Sequence, residues 1–201
     1  MSSPKMEFWY EFASSYSYLS VMRIEGLATD AGVDVQWRPF LLGPVFLAMG
    51  WNDSPFNIYP PKGRYMWRDL ARLAGKYDLP FRVPNRFPRS GLLAARVALL
   101  GVEAGWVAPF SRKVMLANFA EDREIGEADV ISGILSDLGL PARELLAAAV
   151  ADDNKLALRR QTERAAELGL FGAPSFRIGD EMFWGNDRLE DALAWAQRTA
   201  A

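Results

Sequence analysis

The chain has 201 residues, half of them apolar, with 23 Lys and Arg against 25 Asp and Glu and a formal charge of −2. That length supports a sizeable core, in one domain or in one domain carrying a large insertion, and the balance of charge excludes a general field toward nucleic acid or a membrane surface. Cysteine and histidine are both absent, which excludes disulfides, a dithiol redox cycle, thiol nucleophiles, Ser-His-Asp triads and most zinc chemistry; what remains is Ser, Tyr, carboxylates, Lys, backbone dipoles or a borrowed cofactor.

The start, Met1 to Lys5, is short and polar and leads into a strand-like run instead of the apolar core of a signal peptide. No apolar stretch approaches the roughly 20 residues of a membrane span, so the cytoplasm is the expected compartment. From Met6 to Phe12 the apolar residues fall on even positions, with Glu7 and Glu11 between them, the period of a half-buried strand. Ala13-Ser14-Ser15 breaks that run with helix-capping residues. Tyr18, Val21, Met22, Glu25 and Ala28 then follow at helical spacing, so a helix begins near Ser15 or Tyr16 and ends at Gly32. Val33, Val35 and Trp37 alternate with Asp34 and Gln36 as a second strand.

Between about Pro39 and Tyr65 the period is lost and Pro44, Pro55, Pro60 and Pro61 gather with Gly43, Gly50 and Gly63, which predicts a long irregular connection of the kind that is often functional. Helical patterns then run for roughly a hundred residues. Met66, Leu70, Leu73 and Tyr77 share a face, and further series cover Leu92 to Val102, Phe110 to Phe119, Val130 to Leu138, Leu145 to Val150 and Leu156 to Leu170. The last stretch returns to strand, Ser175 to Ile178 and Glu181 to Trp184, around the hairpin signal Gly179-Asp180. Asn186 and Asp187 are placed to cap a terminal helix through Leu189, Leu193 and Ala196. A β-α-β opening and a β-β-α close suit one mixed sheet with a helical block inserted between its halves.

Two segments stand out. Ser14-Ser15-Tyr16-Ser17 lies where a strand hands over to a helix, so Ser14 or Ser15 is either a plain helix cap or part of a site where free N–H groups and the helix dipole favour an anion such as a thiolate. Gly172-Ala173-Pro174-Ser175 puts a proline just before a late strand, where a cis bond would bring a backbone edge up to that junction.

These segments carry a resemblance. Phe8 to Leu19 (FWYEFASSYSYL), Pro61 to Tyr65 (PKGRY), Gly172-Ala173-Pro174 and Glu181 to Leu189 (EMFWGNDRL), in that order, resemble the 2-hydroxychromene-2-carboxylate isomerase family, itself related to kappa-class glutathione transferases and bacterial disulfide oxidoreductases. The resemblance implies an α/β fold, a thioredoxin-like mixed sheet with a large all-helical insertion. Residues 1–43 and 166–201 would form the sheet-bearing domain, and 44–165 a loop plus the inserted helical domain. It implies glutathione as cofactor, with Ser14 standing where redox relatives carry a cysteine and donating a hydrogen bond to the cofactor's sulfur. Ala173 beside Pro174 would pair its backbone with the cysteinyl part, Asn186 and Asp187 would hold the γ-glutamyl end, and Lys62 would face a carboxylate with support from Asn57 or Asn52. Asn186 and Asp187 remain helix caps on the other reading, and Lys62 a solvated lysine.

On the substrate side Ser15 replaces the proline that usually follows the catalytic serine, and Phe46 falls near a position where members acting on naphthalene breakdown products carry a lysine. Arg86 and Arg89 are then the candidate carboxylate contacts. Trp51, Trp67, Phe87 and Trp184 are available to line an apolar cleft, Phe87 beside the substrate and Trp184 beside the cofactor, although each suits a core equally. Glu11 and Tyr16 are candidate proton handlers. The implied activity is isomerisation of an unsaturated aromatic keto acid by reversible addition of glutathione thiolate. A transferase that releases the conjugate and a noncatalytic binding protein are the alternatives. Partners would be a small-molecule substrate and a second copy of the chain, with no metal.

Overall fold

A computed structural model describes residues 3–199. Met1, Ser2, Ala200 and Ala201, the outer ends of the polar start and of the expected terminal helix, lie outside the described residues. The chain opens with β1 (Lys5–Tyr10), α1 (Ser15–Ala31) and β2 (Asp34–Pro39). Eight α-helical segments lie between β2 and the point where the sheet resumes: α2 (Leu42–Ala48), α3 (Pro55–Ile58), α4 (Pro60–Lys76), α5 (Leu92–Ala104), α6 (Val107–Phe119), α7 (Ala128–Asp137), α8 (Ala142–Ala149) and α9 (Asp152–Glu167). The hairpin β3 (Ser175–Ile178) and β4 (Glu181–Trp184) then leads through a 3₁₀ turn, Asn186–Arg188, into α10 (Leu189–Thr199).

The four strands form one sheet in the order β2-β1-β3-β4. β1 pairs parallel to β2 and antiparallel to β3, with Trp9 opposite Ser175. The alternation along β1 divides two cores. Met6, Phe8 and Tyr10 face the larger one, where Phe8 stacks on Tyr10 at 5.0 Å and on Phe176 at 5.4 Å. The Tyr10 hydroxyl shares a 2.7 Å hydrogen bond with Ser111 of α6, so a buried phenol keeps a partner. This core runs unbroken into the helical block through Phe110, Val114, Ile131 and Leu135. On the opposite face Trp9 packs with Phe40, Leu42, Val45, Ala165 and Leu170.

The segment expected to be an irregular connection holds α2, α3 and the start of α4. The prolines that obscured the period begin helices: Pro55 opens α3, and Pro60 and Pro61 open α4. At the first helical positions a missing N–H costs nothing and the fixed φ suits the helix. The terminal helix also starts differently from expectation. Neither Asn186 nor Asp187 caps it through its side chain; both lie in the 3₁₀ turn, whose leading residue is Gly185.

α3 and α4 meet at Gly63, where a Cβ would overlap the Phe56 carbonyl oxygen. Overpacking against backbone costs about 1–3 kcal/mol, while alanine in a helix gains about 1 kcal/mol over glycine. Gly63→Ala is therefore expected to lower stability by about 1 kcal/mol in urea unfolding; a gain equal to the helix propensity would show that the contact gives way freely.

Candidate active site

Ser14 is the N-cap of α1, extended at φ −80° and ψ 116°, and its Oγ accepts the Ser17 N–H at 3.2 Å. The same hydroxyl donates to the Ala173 carbonyl oxygen at 2.9 Å, across 159 positions of sequence. The Ala173–Pro174 bond is cis. The two segments picked out in the sequence therefore meet, and Ser14 is the helix cap at their junction. Ser17, by contrast, is fully buried, and its Oγ accepts the Glu11 N–H at 3.4 Å. It serves the turn beneath Ser14.

The approach to Ser14 is held from several sides. Ser14 N–H donates to Glu11 O at 3.1 Å, closing the turn between β1 and α1. Asn118 of α6 donates to Phe12 O at 2.9 Å, and Arg89 holds Asn118 by donating to both of its oxygens at 3.1 Å. Arg89 is 3% exposed and ion-paired with Asp122 at 2.5 Å. Its expected role as a carboxylate contact for substrate is corrected by this burial: its charge is already spent on Asp122, Glu124 and the Asn118 relay.

Glu11 is also buried. Its Oε2 accepts the Leu42 N–H at the start of α2 at 3.0 Å, and its Oε1 lies beside Gly91, the residue that leads into α5. Burial pushes its carboxyl up from the usual 4.5 to about 7, against the lowering effect of the Leu42 hydrogen bond. Tyr16 donates to Asp69 of α4 at 3.0 Å, and its phenol is raised by burial first and then by the carboxylate of Asp69, with Tyr65 and Asp187 adding to it. Asp187 thus faces the same corner as Tyr16. Asp69 and Tyr65 were not picked out in the sequence; the signal available was that Asp69 lies one position before the core residue Leu70, beside Met66, whose sulfur accepts the Ser15 hydroxyl at 3.0 Å.

The remaining expected residues divide. Lys62 lies on the exposed first turn of α4, with its ammonium 4.9 Å from the Tyr59 ring centroid. It precedes Met66 by one helical turn, about 5–6 Å between Cβ atoms. Asn57 is committed to Asp53 and to Phe87 O at 3.2 Å, whereas Asn52 is exposed with no side-chain hydrogen bond among the described residues. Asn186 is 2% exposed; its Oδ1 accepts from Ser20 at 3.1 Å and Arg23 at 3.2 Å, which ties the 3₁₀ turn to α1. Asp187 is exposed beside Arg188. Gly185, at φ 111°, donates to Pro174 O at 3.0 Å and turns the chain toward Asp187.

Trp184 is exposed, edge-on to Phe171 at 4.8 Å and in contact with the Gly172 backbone. Phe87 packs edge-on to Trp67 at 4.8 Å in a loop whose Phe87–Pro88 bond is also cis. Arg86 is largely exposed and 4.0 Å from Glu124. Trp51 lies against Phe46 at 5.6 Å, and Phe46 and Ala173 pack on the same small core as Trp9.

A family model described as a DSBA-like thioredoxin domain matches residues 5–194. A 2-hydroxychromene-2-carboxylate isomerase from Sphingobium xenophagum is 30% identical over 189 residues, covering 92% of this chain and 94% of that protein. Glutathione S-transferase kappa 1 from Homo sapiens is 26% identical over 199 residues, covering 92% of this chain and 87% of that protein. Among solved structures, one of a 2-hydroxychromene-2-carboxylate isomerase superposes with a TM-score of 0.87 at 25% identity, covering 98% of this chain and 96% of that one.

The buried Glu11 gives a pH-dependent prediction. Since its folded pKa is about 7 against an ordinary 4.5, the folded protein keeps a proton that the unfolded chain releases. That contribution is complete below pH 4.5 and is lost as pH rises to 7, by about 3 kcal/mol. Glu11→Gln removes the loss. Its stability relative to the unsubstituted chain is expected to rise by about 3 kcal/mol between pH 4.5 and 8 in urea unfolding; parallel pH profiles would contradict it.

Proposed function

This chain belongs to the DSBA-like thioredoxin domain family, and from that premise we propose that it is a glutathione-dependent isomerase of an unsaturated aromatic keto acid. The observation that carries the proposal is the Ser14 hydroxyl, set at the N-terminus of α1 and bonded to the Ala173 carbonyl. The likeness to proteins named 2-hydroxychromene-2-carboxylate isomerase supports the reaction class. The likeness to a glutathione transferase supports the cofactor.

The residues present fit a tripeptide thiol. The Ala173 carbonyl and the backbone around Pro174 offer a peptide edge, the exposed Asp187 carboxylate complements an ammonium, and Lys62 complements a carboxylate. Asn186 does not hold the γ-glutamyl end itself but positions Asp187 from beneath, because its side chain is buried against Ser20 and Arg23. Asn52 is preferred over Asn57 for the supporting contact, because the Asn57 amide is already engaged.

What a bound glutathione supplies is a thiolate nucleophile, able to add reversibly to an activated carbon–carbon double bond and to leave again after rotation about it. Ser14 provides the donor. Its hydroxyl proton, now held by Ala173 O, turns to the sulfur once a peptide N–H takes that carbonyl. The free N–H groups of the first turn of α1 and the helix dipole favour the same negative charge. Trp51 and Phe46 provide an apolar wall on the Ala173 side, and Arg86 and Phe87 are the proposed contacts for the keto acid. The kappa likeness keeps a second reading, transferase turnover, in which glutathione is consumed instead of returned.

Reduced glutathione is expected to bind in titration calorimetry, and Asp187→Ala to weaken it at least tenfold, about 1.4 kcal/mol. Ser14→Ala is expected to retain binding and to lose isomerase turnover by at least a hundredfold, about 2.7 kcal/mol of transition-state stabilisation. Absence of binding to the unsubstituted chain would withdraw the proposal, and unchanged turnover in Ser14→Ala would withdraw the role of the serine.

A further inference from the structure

Glu11 combines three connections that no other carboxylate among the described residues has. Its side chain accepts the first N–H of α2 at 3.0 Å. Its other oxygen abuts Gly91 at the entry to α5. Its carbonyl accepts the Ser14 N–H at 3.1 Å. The contacts close into a ring: Glu11 holds α2, Val45 and Phe46 of α2 share a core with Ala173, Ala173 O accepts from Ser14, and Ser14 returns to Glu11.

We propose that the Glu11 carboxylate is a positioning residue, whose charge seats α2 against the Ala173–Pro174 loop and thereby sets the opening in which Ser14 works.

The surroundings make charge the variable. α2 carries no ionisable side chain, and neither does the whole segment from Pro39 to Asn52. α1 presents Ser17 to the Glu11 backbone, while the neighbouring Tyr16 faces Asp69. α6 presents Asn118 to Phe12 O. α9 presents Thr162 and Gln161 to the residues leading into α2, and its Arg159 and Arg160 are exposed. On the segment entering α5 the charged residue is Arg89, which is neutralised by Asp122 and Glu124. On β1 itself Glu7 pairs with Arg38 and Arg177. Among the described residues no cation compensates Glu11, and the Leu42 N–H at the start of α2 is the donor that favours its ionised form against the effect of burial. Losing the charge weakens the bond to Leu42, because a charge-assisted hydrogen bond is roughly twice as strong as a neutral one. With no histidine and no cysteine in the chain, few other groups can change charge near neutrality.

The proposal bears on the glutathione site proposed above, but its first test needs no ligand. In the unliganded full chain, the amide chemical shifts of Leu42 and Ala173 are followed from pH 5.5 to 8.5. Both are expected to titrate together near pH 7, and both to stay flat in Glu11→Gln, which keeps an acceptor without the charge. A Leu42 shift that titrates while Ala173 stays flat would reduce Glu11 to a cap and overturn the proposal, as would flat shifts at both positions. The second arm uses S-methylglutathione, which has no thiol to titrate. Its affinity is expected to fall at least threefold from pH 8 to pH 6 in the unsubstituted chain and to be pH-independent in Glu11→Gln; equal pH dependence in the two would overturn the positioning role. If S-methylglutathione binds neither protein while Ala173 still titrates, the glutathione reading fails and the Glu11 assignment stands.

Discussion

Where β1 runs antiparallel to β3, the register that sets Trp9 opposite Ser175 also puts the exit of β1 beside the entry to β3. Residues that follow the first strand and residues that precede the third are thereby forced together. Ser14 and Ala173, on those two connections, meet at 2.9 Å. A slip by one residue would send Phe8 and Tyr10 to the opposite face and empty the larger core. Stacking of Phe8 between Tyr10 and Phe176 makes that slip costly, since burying each such ring is worth about 2–3 kcal/mol. The packing that determines the fold thus also determines the site.

Around this junction most polar side chains that could have been chemical groups are structural. Ser15, Ser17, Arg89, Asn118 and Asn186 are all buried, and each has a hydrogen-bond partner inside the protein. Their combined effect is a turn, Glu11 to Ser14, anchored from α1, α2 and α6. Ser14 is only half-buried, and its hydroxyl can exchange partners without leaving a buried group unsatisfied. Capping therefore does not compete with the proposed chemistry. The cap aligns the oxygen, and its proton stays available.

Local rules read well from the sequence. The alternation from Met6 to Phe12, the stop at Gly32 and the hairpin at Gly179-Asp180 correspond to β1, the left-handed end of α1 and the β3–β4 turn. These features depend on period and on glycine conformation, which a short window contains. Failures came where partners are distant. The prolines at 55, 60 and 61 looked like breakers because a first-turn proline is indistinguishable from a loop proline until the following helix is packed. Asn186 looked like a cap because nothing local shows that Ser20 and Arg23 claim its oxygen. Arg89 looked free to meet a substrate carboxylate because Asp122, which pairs with it, lies 33 positions away. Ser14 and Ala173 were legible as a pair through the resemblance, whereas the contacts of Glu11 with Leu42 and Gly91 were not, since α2 itself was unseen.

Stabilisation of a thiolate by Ser14 at the N-terminus of α1, as proposed, is measured most directly by the thiol pKa of glutathione bound to the protein, followed by ultraviolet absorbance against pH. A charge-assisted hydrogen bond of about 1.5–3 kcal/mol corresponds to a pKa lowered by about 1–2 units from that of the free thiol. A lowering of that size is expected, largely lost in Ser14→Ala. Bound glutathione that titrates like the free thiol, or equally in both proteins, would contradict it.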